Sequence, residues 1–372
     1  MRVLMLTPWY PDDRSPNSGI FIQSQAQALS EIHEVVVVSA KVDYTKFGIF
    51  SFQLSTTRKG LVEEHRLMIR KSLPIYNQLN HLLITCLVTW RLTRKWKPEI
   101  IHASIGFPGA FWGWAMSKLL GVPFVFTEHT RITNNFRSAF HKVCTLRPLA
   151  KASKVMAVSS SLAKEMQPWL KSEVMIMPNI IDVHRFAHIE PAQNEIPQIG
   201  LLGGFNTPVK GLDILLKALS EIEGDFVLHI GGAGSLEDSY KLLAEELGIA
   251  SKCRFYGFIP YDQVPKFMAR LHFYVCSSRY ETFCVSLVEA MASGRPVVST
   301  RCGGPEDFVN EDNGILCDKE SQESLQQAID WMILNYKLFN PVKMRAYIGD
   351  NFTAKSFLKQ INEVYSKTLS VL

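Results

Sequence analysis

The chain has 372 residues, a length that suits two domains of similar size better than one. Hydrophobic residues make up 47% of the chain and charged residues 20%, which is typical of a globular protein and argues against intrinsic disorder. The net charge of +5 is uneven, because residues 1–185 carry 23 Lys and Arg against 12 Asp and Glu, whereas residues 186–372 carry 17 against 23. A basic first half predicts an anionic partner, such as a membrane or a phosphorylated substrate, and the alternative is a solvated surface without a partner. Nucleic acid is not favoured, because no nucleic-acid-binding signature accompanies the charge.

Short apolar runs alternate with helical patterns in the first half of the chain. The runs lie at 2–7, 35–40, 99–104, 123–128 and 154–160, and helical patterns lie at 19–31 and 79–95. Nearly continuous apolar runs are typical of parallel strands covered on both faces, and their alternation with helices predicts a doubly wound α/β domain. The longest apolar stretch, nine residues from Leu82, is far below the ~20 that a transmembrane helix needs. We therefore expect no segment that crosses a membrane.

The same pattern restarts after Asn179. Further runs lie at 198–204, 225–232, 253–258, 273–278 and 296–300, and the chain is helical from about residue 340. Periodicity is lost over 182–195, where a linker is expected. These observations predict an α/β protein of two Rossmann-like doubly wound lobes, 1–183 and 184–350, followed by a C-terminal helix, 351–372. We expect this helix to pack back on the first lobe. Ligands bind beyond the carboxyl ends of such strands, so we expect the chemistry in a cleft between the lobes.

The segment 277–300 carries the strongest functional pattern. A strand ends at Ser278, Glu281 follows in a loop, and a helix is expected from about Thr282 to Ser293. The free amides of Thr282, Phe283 and Cys284 would form an anion site suited to a diphosphate. Glu289 lies eight residues after Glu281, so both acids would project to one side. The alternative is that Glu281 complements the helix dipole and Glu289 is a solvated helix residue.

Several other sites are excluded or not favoured by the sequence. It contains no Asp-x-Asp metal motif, no P-loop and no G-x-G-x-x-G after the first strand, which argues against a metal-bridged transferase, an NTPase and a dinucleotide oxidoreductase. The seven cysteines are scattered without ligand-like spacing, so we interpret them as reduced core residues rather than disulfides or a zinc site.

Taken together, these motifs closely resemble the retaining glycosyltransferases of family 4, whose hallmark is a Glu, seven residues and a second Glu, followed by E-A-M-A-x-G-x-P-V-V. This chain has Glu281, Glu289 and EAMASGRPVVST, then a Gly-Gly loop at 303–304. Other landmarks follow the family order: the PN-x-x-D-x-x-x-F junction at 178–186, VKGLDILLKAL at 209–219, GGAGS at 231–235 and FYGFIP at 255–260. The resemblance covers most of the chain and implies the two-lobed GT-B fold, with an acceptor-side first lobe and a second lobe that binds the nucleotide sugar.

The resemblance also assigns roles in the second lobe. Lys210 would neutralise the leaving diphosphate, and Glu281 would orient the transferred sugar. Glu289 would bind the ribose hydroxyls, and the backbone at Gly257, Phe258 and Ile259 would read the base. The family commonly has an Arg about six residues before the lysine, but this chain has Gly203, Gly204 and Phe205 in that region.

In the first lobe, the resemblance points to a histidine and a glycine loop. Thr127-Glu128-His129-Thr130 is similar to a family segment whose His lies near the reacting sugar, and His102 is a further acceptor-side candidate. Both histidines could instead be structural. Gly19 lies in the loop that the family places near the donor and acceptor, although the usual Gly pair is Ser18-Gly19 here.

The expected enzyme is a metal-independent, cofactor-free hexosyltransferase that uses a nucleoside diphosphate sugar and acts on a glycan or lipid-linked acceptor in surface polysaccharide synthesis. We expect it to be cytoplasmic and peripheral on the inner face of the membrane, held by basic and aromatic residues at 89–99 and 134–154. The alternatives are a nucleotide-sugar epimerase of the same fold and a non-catalytic homologue that binds nucleotide sugar.

Overall fold

The computed structural model describes residues 1–186 and 195–370, which form two compact units. The first unit comprises Met1–Ile180 together with the C-terminal segment from Ala354, and the second comprises Ile181–Thr353. The sequence-based boundaries, 183/184 and 350/351, lie three residues from these positions. The linker expected over 182–195 lies mostly outside the described residues.

The first unit is built on an eight-stranded sheet. Its strands are β1 (Arg2–Thr7), β2 (Glu34–Phe47), β3 (Phe52–Lys59), β4 (Val62–Lys71), β5 (Ile100–Ser104), β6 (Phe124–Glu128), β7 (Lys154–Ala157) and β8 (Val174–Ile176), and its helices are α1 (Ile20–Ser30), α2 (Pro74–Thr93), α3 (Phe111–Leu120), α4 (Ala139–Leu149) and α5 (Ser160–Met166). The strand order is β3-β4-β2-β1-β5-β6-β7-β8. The pairs are parallel, as predicted, apart from the antiparallel pair of β3 and β4. Sequence analysis missed this hairpin because every residue of β3 is exposed, so β3 has no apolar run.

The second unit has a six-stranded parallel sheet. Its strands are β9 (Gln198–Leu202), β10 (Val227–Gly231), β11 (Cys253–Phe255), β12 (Phe273–Cys276), β13 (Val297–Thr300) and β14 (Gly314–Cys317), and its helices are α6 (Leu212–Ser220), α7 (Glu237–Glu246), α8 (Val264–Met268), α9 (Val285–Ala292), α10 (Gln322–Asn335) and α11 (Pro341–Asn351). The order β11-β10-β9-β12-β13-β14 changes direction between β9 and β12. Ligands of open α/β sheets bind at the carboxyl ends of the strands where the order reverses.

The last helix, α12 (Ala354–Leu369), belongs to the first unit. Its buried residues Phe357, Ile361 and Tyr365 join the core formed by β1, β2 and α1. The spacing of these residues, four apart, places them on one face of the helix. The end of the chain therefore supplies part of the core that its beginning requires.

Helix α2 presents an apolar face to solvent. Tyr76, Leu79, Leu83 and Leu87 lie on one face and expose 43–56% of their surface, whereas Leu82 and Val88 are buried. Leu79, Leu83 and Leu87 belong to the helical pattern predicted over 79–95, and the structure turns all three outwards. Within the described ranges, no helix is both long enough and apolar enough to cross a bilayer.

Candidate functional site

Three neighbouring strands of the second unit end at one edge of its sheet. Strand β9 leads to a short 3-10 turn, Pro208–Lys210, strand β12 leads to Glu281, and strand β13 leads to Gly303 and Gly304. Because the strands are parallel, the three loops emerge side by side. This is the edge at which the sequence predicts the diphosphate site.

Lys210 and Glu281 form an ion pair in these loops. The Lys210 ammonium donates to the Glu281 carboxylate at 2.6 Å, and the Ser278 hydroxyl donates to the same oxygen at 2.7 Å. Burial acts to lower the pKa of Lys210, but the Glu281 carboxylate outweighs it, so the pKa lies above its usual range. A permanently charged ammonium beside a carboxylate suits a site that receives a diphosphate and a hydroxyl-rich sugar.

Four further contacts hold the two loops together. The Ser277 hydroxyl donates to the Lys210 carbonyl at 2.9 Å, and the Arg279 amide donates to the Val209 carbonyl at 2.8 Å. The Arg279 guanidinium makes a bidentate contact with Asp213 at 2.7 and 2.9 Å. A bidentate contact fixes geometry more strictly than a single hydrogen bond. Arg279 and Asp213, which sequence analysis did not select, therefore position Lys210 and Glu281.

The backbone conformation at position 211 and its close approach to Ser277 explain why the residue after Lys210 is glycine. Its φ is 64°, in the left-handed region, and a Cβ there would lie 1.9 Å from the Ser277 carbonyl oxygen. A side chain at this position would push apart the two loops that carry Lys210 and Glu281. Gly204, in the region where the family has an arginine, is different: a Cβ there would meet no atom within 4 Å. The site thus has room for the side chain that this sequence lacks.

The helix after Glu281 begins later than predicted. Helix α9 starts at Val285 rather than near Thr282, because Cys284 adopts a left-handed φ of 75° and Glu281 pairs with Gly303 in a β-bridge. Among the described residues, the amides of Thr282, Phe283 and Cys284 make no backbone hydrogen bond. The side chains of Phe283 and Cys284 are buried, so only their amides are suited to bind an anion.

Glu289 has different neighbours from Glu281. It is only 5% exposed, and burial raises the pKa of its carboxyl to about 8, although the Arg185 guanidinium acts to lower it. Arg185 lies 3.9 Å from the Tyr261 ring centre and donates to the Tyr261 carbonyl at 2.9 Å. Tyr261 lies two residues after the segment that contains Gly257, Phe258 and Ile259. Glu289 is therefore not the solvated helix residue that the alternative interpretation required.

The loop from Gly257 to Ile259 lies next to the loop after β10. The Gly232 amide donates to the Gly257 carbonyl at 2.7 Å, and Gly257 has a φ of 65°. Phe258 exposes 51% of its surface, so a ring is available to an incoming ligand. Backbone groups and an exposed ring in one loop are suited to contact a planar base.

In the first unit, His129 is buried with one nitrogen unpaired. Its Nδ1 lies 3.0 Å from the Asn179 side-chain oxygen, and within the described residues its Nε2 has no hydrogen-bond partner. Burial lowers the pKa of His129 to about 3, so the ring is neutral. Because Nδ1 donates to the Asn179 oxygen, Nε2 carries the lone pair and accepts a hydrogen bond from a ligand hydroxyl.

Glu128, which sequence analysis quoted only as part of a motif, positions His129. Its buried carboxylate accepts hydrogen bonds from the amides of Gly106, His129 and Thr130 at 2.9–3.0 Å. Burial raises the pKa of Glu128 to about 7.

His102 is buried too, but its Nδ1 contacts the Tyr365 hydroxyl and its Nε2 the Thr127 hydroxyl, both at 2.8 Å. With both nitrogens occupied, this geometry favours a structural role for His102.

Gly19 precedes α1 in the same unit. Its φ is 74°, and a Cβ there would lie 2.5 Å from the Trp9 carbonyl oxygen. The loop after β1 therefore folds back tightly on the start of α1, as a ligand-binding loop at a strand end requires.

Family comparisons cover both units. Residues 18–185 match the model described as "Glycosyltransferase Family 4", and residues 189–354 match the model described as "Glycosyl transferases group 1". Between them the two models account for most of the chain.

Individual relatives agree with these models. The chain is 24% identical over 355 residues to a putative teichuronic acid biosynthesis glycosyltransferase of Bacillus subtilis, covering 88% of each chain. It is 27% identical over 225 residues to an N-acetylgalactosamine-N,N'-diacetylbacillosaminyl-diphospho-undecaprenol 4-alpha-N-acetylgalactosaminyltransferase of Campylobacter jejuni, covering 57% of this chain and 60% of that protein. The structure is similar to HepE of Anabaena, solved in complex with UDP, with a TM-score of 0.75 and 18% identity over 99% of this chain and 100% of that one. The fold is that of the two-lobed GT-B transferases.

Proposed function

Since the chain belongs to glycosyltransferase family 4, we propose that it transfers a hexose from a nucleoside diphosphate sugar to an acceptor hydroxyl, with retention of the anomeric configuration and without a metal ion. The observation that carries this proposal is the Lys210–Glu281 pair at the carboxyl ends of β9 and β12. It supplies a fixed positive charge for a leaving diphosphate and a carboxylate for sugar hydroxyls at one point of the sheet.

Each group at this edge has one task in the proposed reaction. The Lys210 ammonium offsets the negative charge that grows on the leaving phosphate, with the amides of Thr282, Phe283 and Cys284 assisting. Glu281, held by Ser278, accepts hydrogen bonds from hydroxyls of the transferred sugar. Glu289 binds the ribose. Its buried carboxyl has little contact with solvent, and the ribose hydroxyls would donate hydrogen bonds to it. The deprotonation of the acceptor falls to the leaving phosphate itself, as the family resemblance implies.

His129 supplies a hydrogen-bond acceptor rather than a base. With a pKa near 3, it stays neutral at physiological pH, and its unpaired Nε2 can receive one hydroxyl proton in a hydrogen bond. The resemblance places this residue near the reacting sugar. A buried acceptor without a partner is costly unless a ligand satisfies it, which supports a substrate contact at this position.

The acceptor is proposed to be a glycan or lipid-linked glycan of surface polysaccharide synthesis. The names of the two relatives, one in teichuronic acid synthesis and one acting on a diphospho-undecaprenol-linked sugar, support this choice. A groove of about 940 Å³ in the first unit is lined by charged, polar and apolar side chains. Its polar members Gln23, Ser55 and Thr57 suit hydrogen bonds to a hydroxyl-rich chain.

A membrane-bound acceptor would require the protein to reach the membrane surface, and we assign that contact to the outward face of α2 and the β2–β3 turn. Exposed Phe47 ends β2, and exposed Ile49 and Phe50 lie in the turn. The intervening Gly48 amide donates to the Lys71 carbonyl, just before α2 begins. Exposed Arg91 and Arg94 follow Leu87 at the end of the same helix. Apolar side chains with basic neighbours fit an anionic bilayer, as on the cytoplasmic side of a membrane.

Incubation with labelled donors tests the activity. Purified protein is given UDP-, GDP- and ADP-hexoses, with and without a lipid-linked acceptor and with EDTA present. We expect transfer of label to the acceptor with one donor class, unaffected by EDTA. Formation of an epimer would identify a nucleotide-sugar epimerase instead, and binding without turnover would identify a non-catalytic homologue.

A further inference from the structure

Three cysteines of the second unit lie beside the Lys210–Glu281 pair. Cys276 ends β12, Cys284 precedes α9, and Cys302 follows β13. The sulfur atoms of Cys276 and Cys284 are 3.6 Å apart, and Cys302 lies just beyond the end of the neighbouring strand β13. All three are buried, with exposures of 3–6%. Their spacing along the chain gave no sign of this cluster, because it joins the end of β12, the segment after β12 and the segment after the adjacent strand β13.

The Glu281 carboxylate completes a compact set of donor atoms. One oxygen of Glu281 and the sulfurs of Cys276 and Cys284 all lie within 4.8 Å of one another. A tetrahedral zinc site with Zn–S bonds of about 2.3 Å places two sulfurs about 3.8 Å apart. The observed separation of 3.6 Å is close to that value, so little movement of the two cysteines is needed.

We propose that Cys276, Cys284 and Glu281 form a binding site for a thiophilic divalent cation, Zn²⁺. Two thiolates and one carboxylate are ligands that zinc accepts, and a fourth position is left for water or for the neighbouring Cys302 thiol. The sequence predicted no metal, since no pair of cysteines or histidines had ligand spacing along the chain.

The backbone of Cys284 supports a role for its thiol. Cys284 has a φ of 75°, a conformation that a residue with a side chain adopts at a cost and that glycine adopts freely. The strain points the Cys284 side chain at Cys276 and at the Ser286 hydroxyl, 3.6 Å away. Strained backbone of this kind is concentrated at functional sites.

Zinc binding would change the partner of Glu281. The two thiols lose their protons when the metal binds, and the carboxylate that Lys210 holds at 2.6 Å turns to the cation. Lys210, now beside a second positive charge, must move away. If the proposed function is correct, zinc and the donor diphosphate therefore compete, and zinc inhibits the transferase.

Metal binding is measured without any nucleotide, so its outcome does not depend on the proposed function. Cd²⁺ is titrated into the full chain, reduced with a phosphine, and the ultraviolet thiolate-to-cadmium absorption is followed. We expect saturation at one Cd²⁺ per chain and displacement by Zn²⁺. Cys284→Gly keeps the left-handed backbone, removes one thiolate, and should weaken binding on the order of 10-fold or more. Cys253→Ser, which removes a thiol of equal burial elsewhere in the second unit, should leave the titration unchanged.

Two results would overturn the proposal. One is a wild-type chain that develops no thiolate-to-cadmium absorption. The other is a Cys284→Gly chain, shown to be folded by circular dichroism, that binds Cd²⁺ as the wild type does. Glu281→Gln provides a second check, because it keeps both thiolates: the absorption should persist while the affinity falls.

Discussion

Lys210 is the residue whose charge the proposed reaction depends on most. Replacing Lys210 with Ala removes a preorganised positive charge at the leaving group, so turnover should fall by about two to three orders of magnitude. The measurement is kcat with a saturating donor. Lys217→Ala, on the exposed side of α6, is the control and should keep its activity. A Lys210→Ala enzyme with near-native turnover would assign Lys210 to structure alone.

Glu281 and Glu289 should be separable by calorimetry with nucleoside diphosphate alone. Glu281→Gln removes a contact to the sugar, which this ligand lacks, and leaves Lys210 without a countercharge, so affinity should be retained or increased. Glu289→Ala removes the ribose contact and should weaken binding. Both variants should transfer sugar slowly. Equal losses of affinity would contradict the assigned roles.

The buried carboxyl of Glu289 also makes a prediction about pH and stability. Its pKa is about 8 in the folded chain and 4.5 in its unperturbed state. The folded chain therefore binds the proton more tightly, and the free energy of unfolding falls as the pH rises from about 5 to about 8. In the Glu289→Gln variant, the fall in the free energy of unfolding between these two pH values should be smaller by on the order of 3 kcal/mol. Urea unfolding at the two pH values measures this difference.

The control for this pH dependence is Glu323→Gln on the exposed surface of α10, which should follow the wild type. Glu128 has a raised pKa as well, but its contribution is present in every variant and cancels in the difference. An identical pH dependence for Glu289→Gln and the wild type would show that Glu289 is ionised in the folded chain.

Sequence analysis identified the site residues that belong to a motif. It missed the residues whose role depends on contacts between segments that are distant in the chain. Lys210 and Glu281 stand beside strand ends that apolar runs predict, so their meeting could be expected. Among the described residues the His129 Nε2 has no partner, and its lone pair is left free by the contact of Nδ1 with Asn179, fifty residues away. The Arg279–Asp213 contact joins the loop after β12 to the first turn of α6. Partners of this kind are set by tertiary packing, which no local pattern encodes.

At the scale of elements, prediction succeeded where burial decides the structure. Parallel strands covered on both faces were located from their apolar runs. Strand β3 is exposed along its whole length and has no such run, so its antiparallel pairing with β4 was missed. The start of α9 was predicted too early, because a left-handed residue at Cys284 interrupts a sequence that favours helix. Local backbone strain of this type is stabilised by surrounding contacts rather than by propensity.

Helix α12 is joined to the sheet by one buried hydrogen bond that can be tested. Tyr365→Phe leaves the His102 Nδ1 without its partner in a fully buried position, which should lower the free energy of unfolding by about 1–3 kcal/mol. Urea unfolding measures this loss. Tyr44→Phe, at a residue that is 69% exposed, should change stability by less than about 0.5 kcal/mol. Equal stabilities would show that His102 does not depend on α12.

At the scale of the whole molecule, we propose the membrane contact on a different surface from the one that the charge distribution indicates. Sequence analysis assigned it to the basic stretches 89–99 and 134–154. In the second stretch, Lys142 is engaged over the rings of Phe136 and Trp169. The exposed leucines of α2 and the aromatic turn after β2 offer the larger apolar surface.

Sedimentation with liposomes tests this contact. The wild type should bind anionic vesicles more than neutral ones and be released as the Debye length falls from about 10 Å to about 3 Å. Leu83→Glu combined with Leu87→Glu should cut binding strongly, whereas Leu242→Glu, at an equally exposed position of the second unit, should not. If the wild type ignores anionic vesicles at low salt, a soluble acceptor is indicated.

The contribution of α12 to the first core also affects how the protein is made. A ribosome synthesises the residues of β1, β2 and α1 before the second unit, yet Phe357, Ile361 and Tyr365, which cover them, emerge only after the second unit. The nascent amino-terminal half must therefore wait, with part of its apolar surface uncovered, until the second unit and α12 have been synthesised. Loss of the final helix by premature termination would leave the second unit's core complete and the first unit's core open, so such a product is expected to be a substrate for chaperones and proteases.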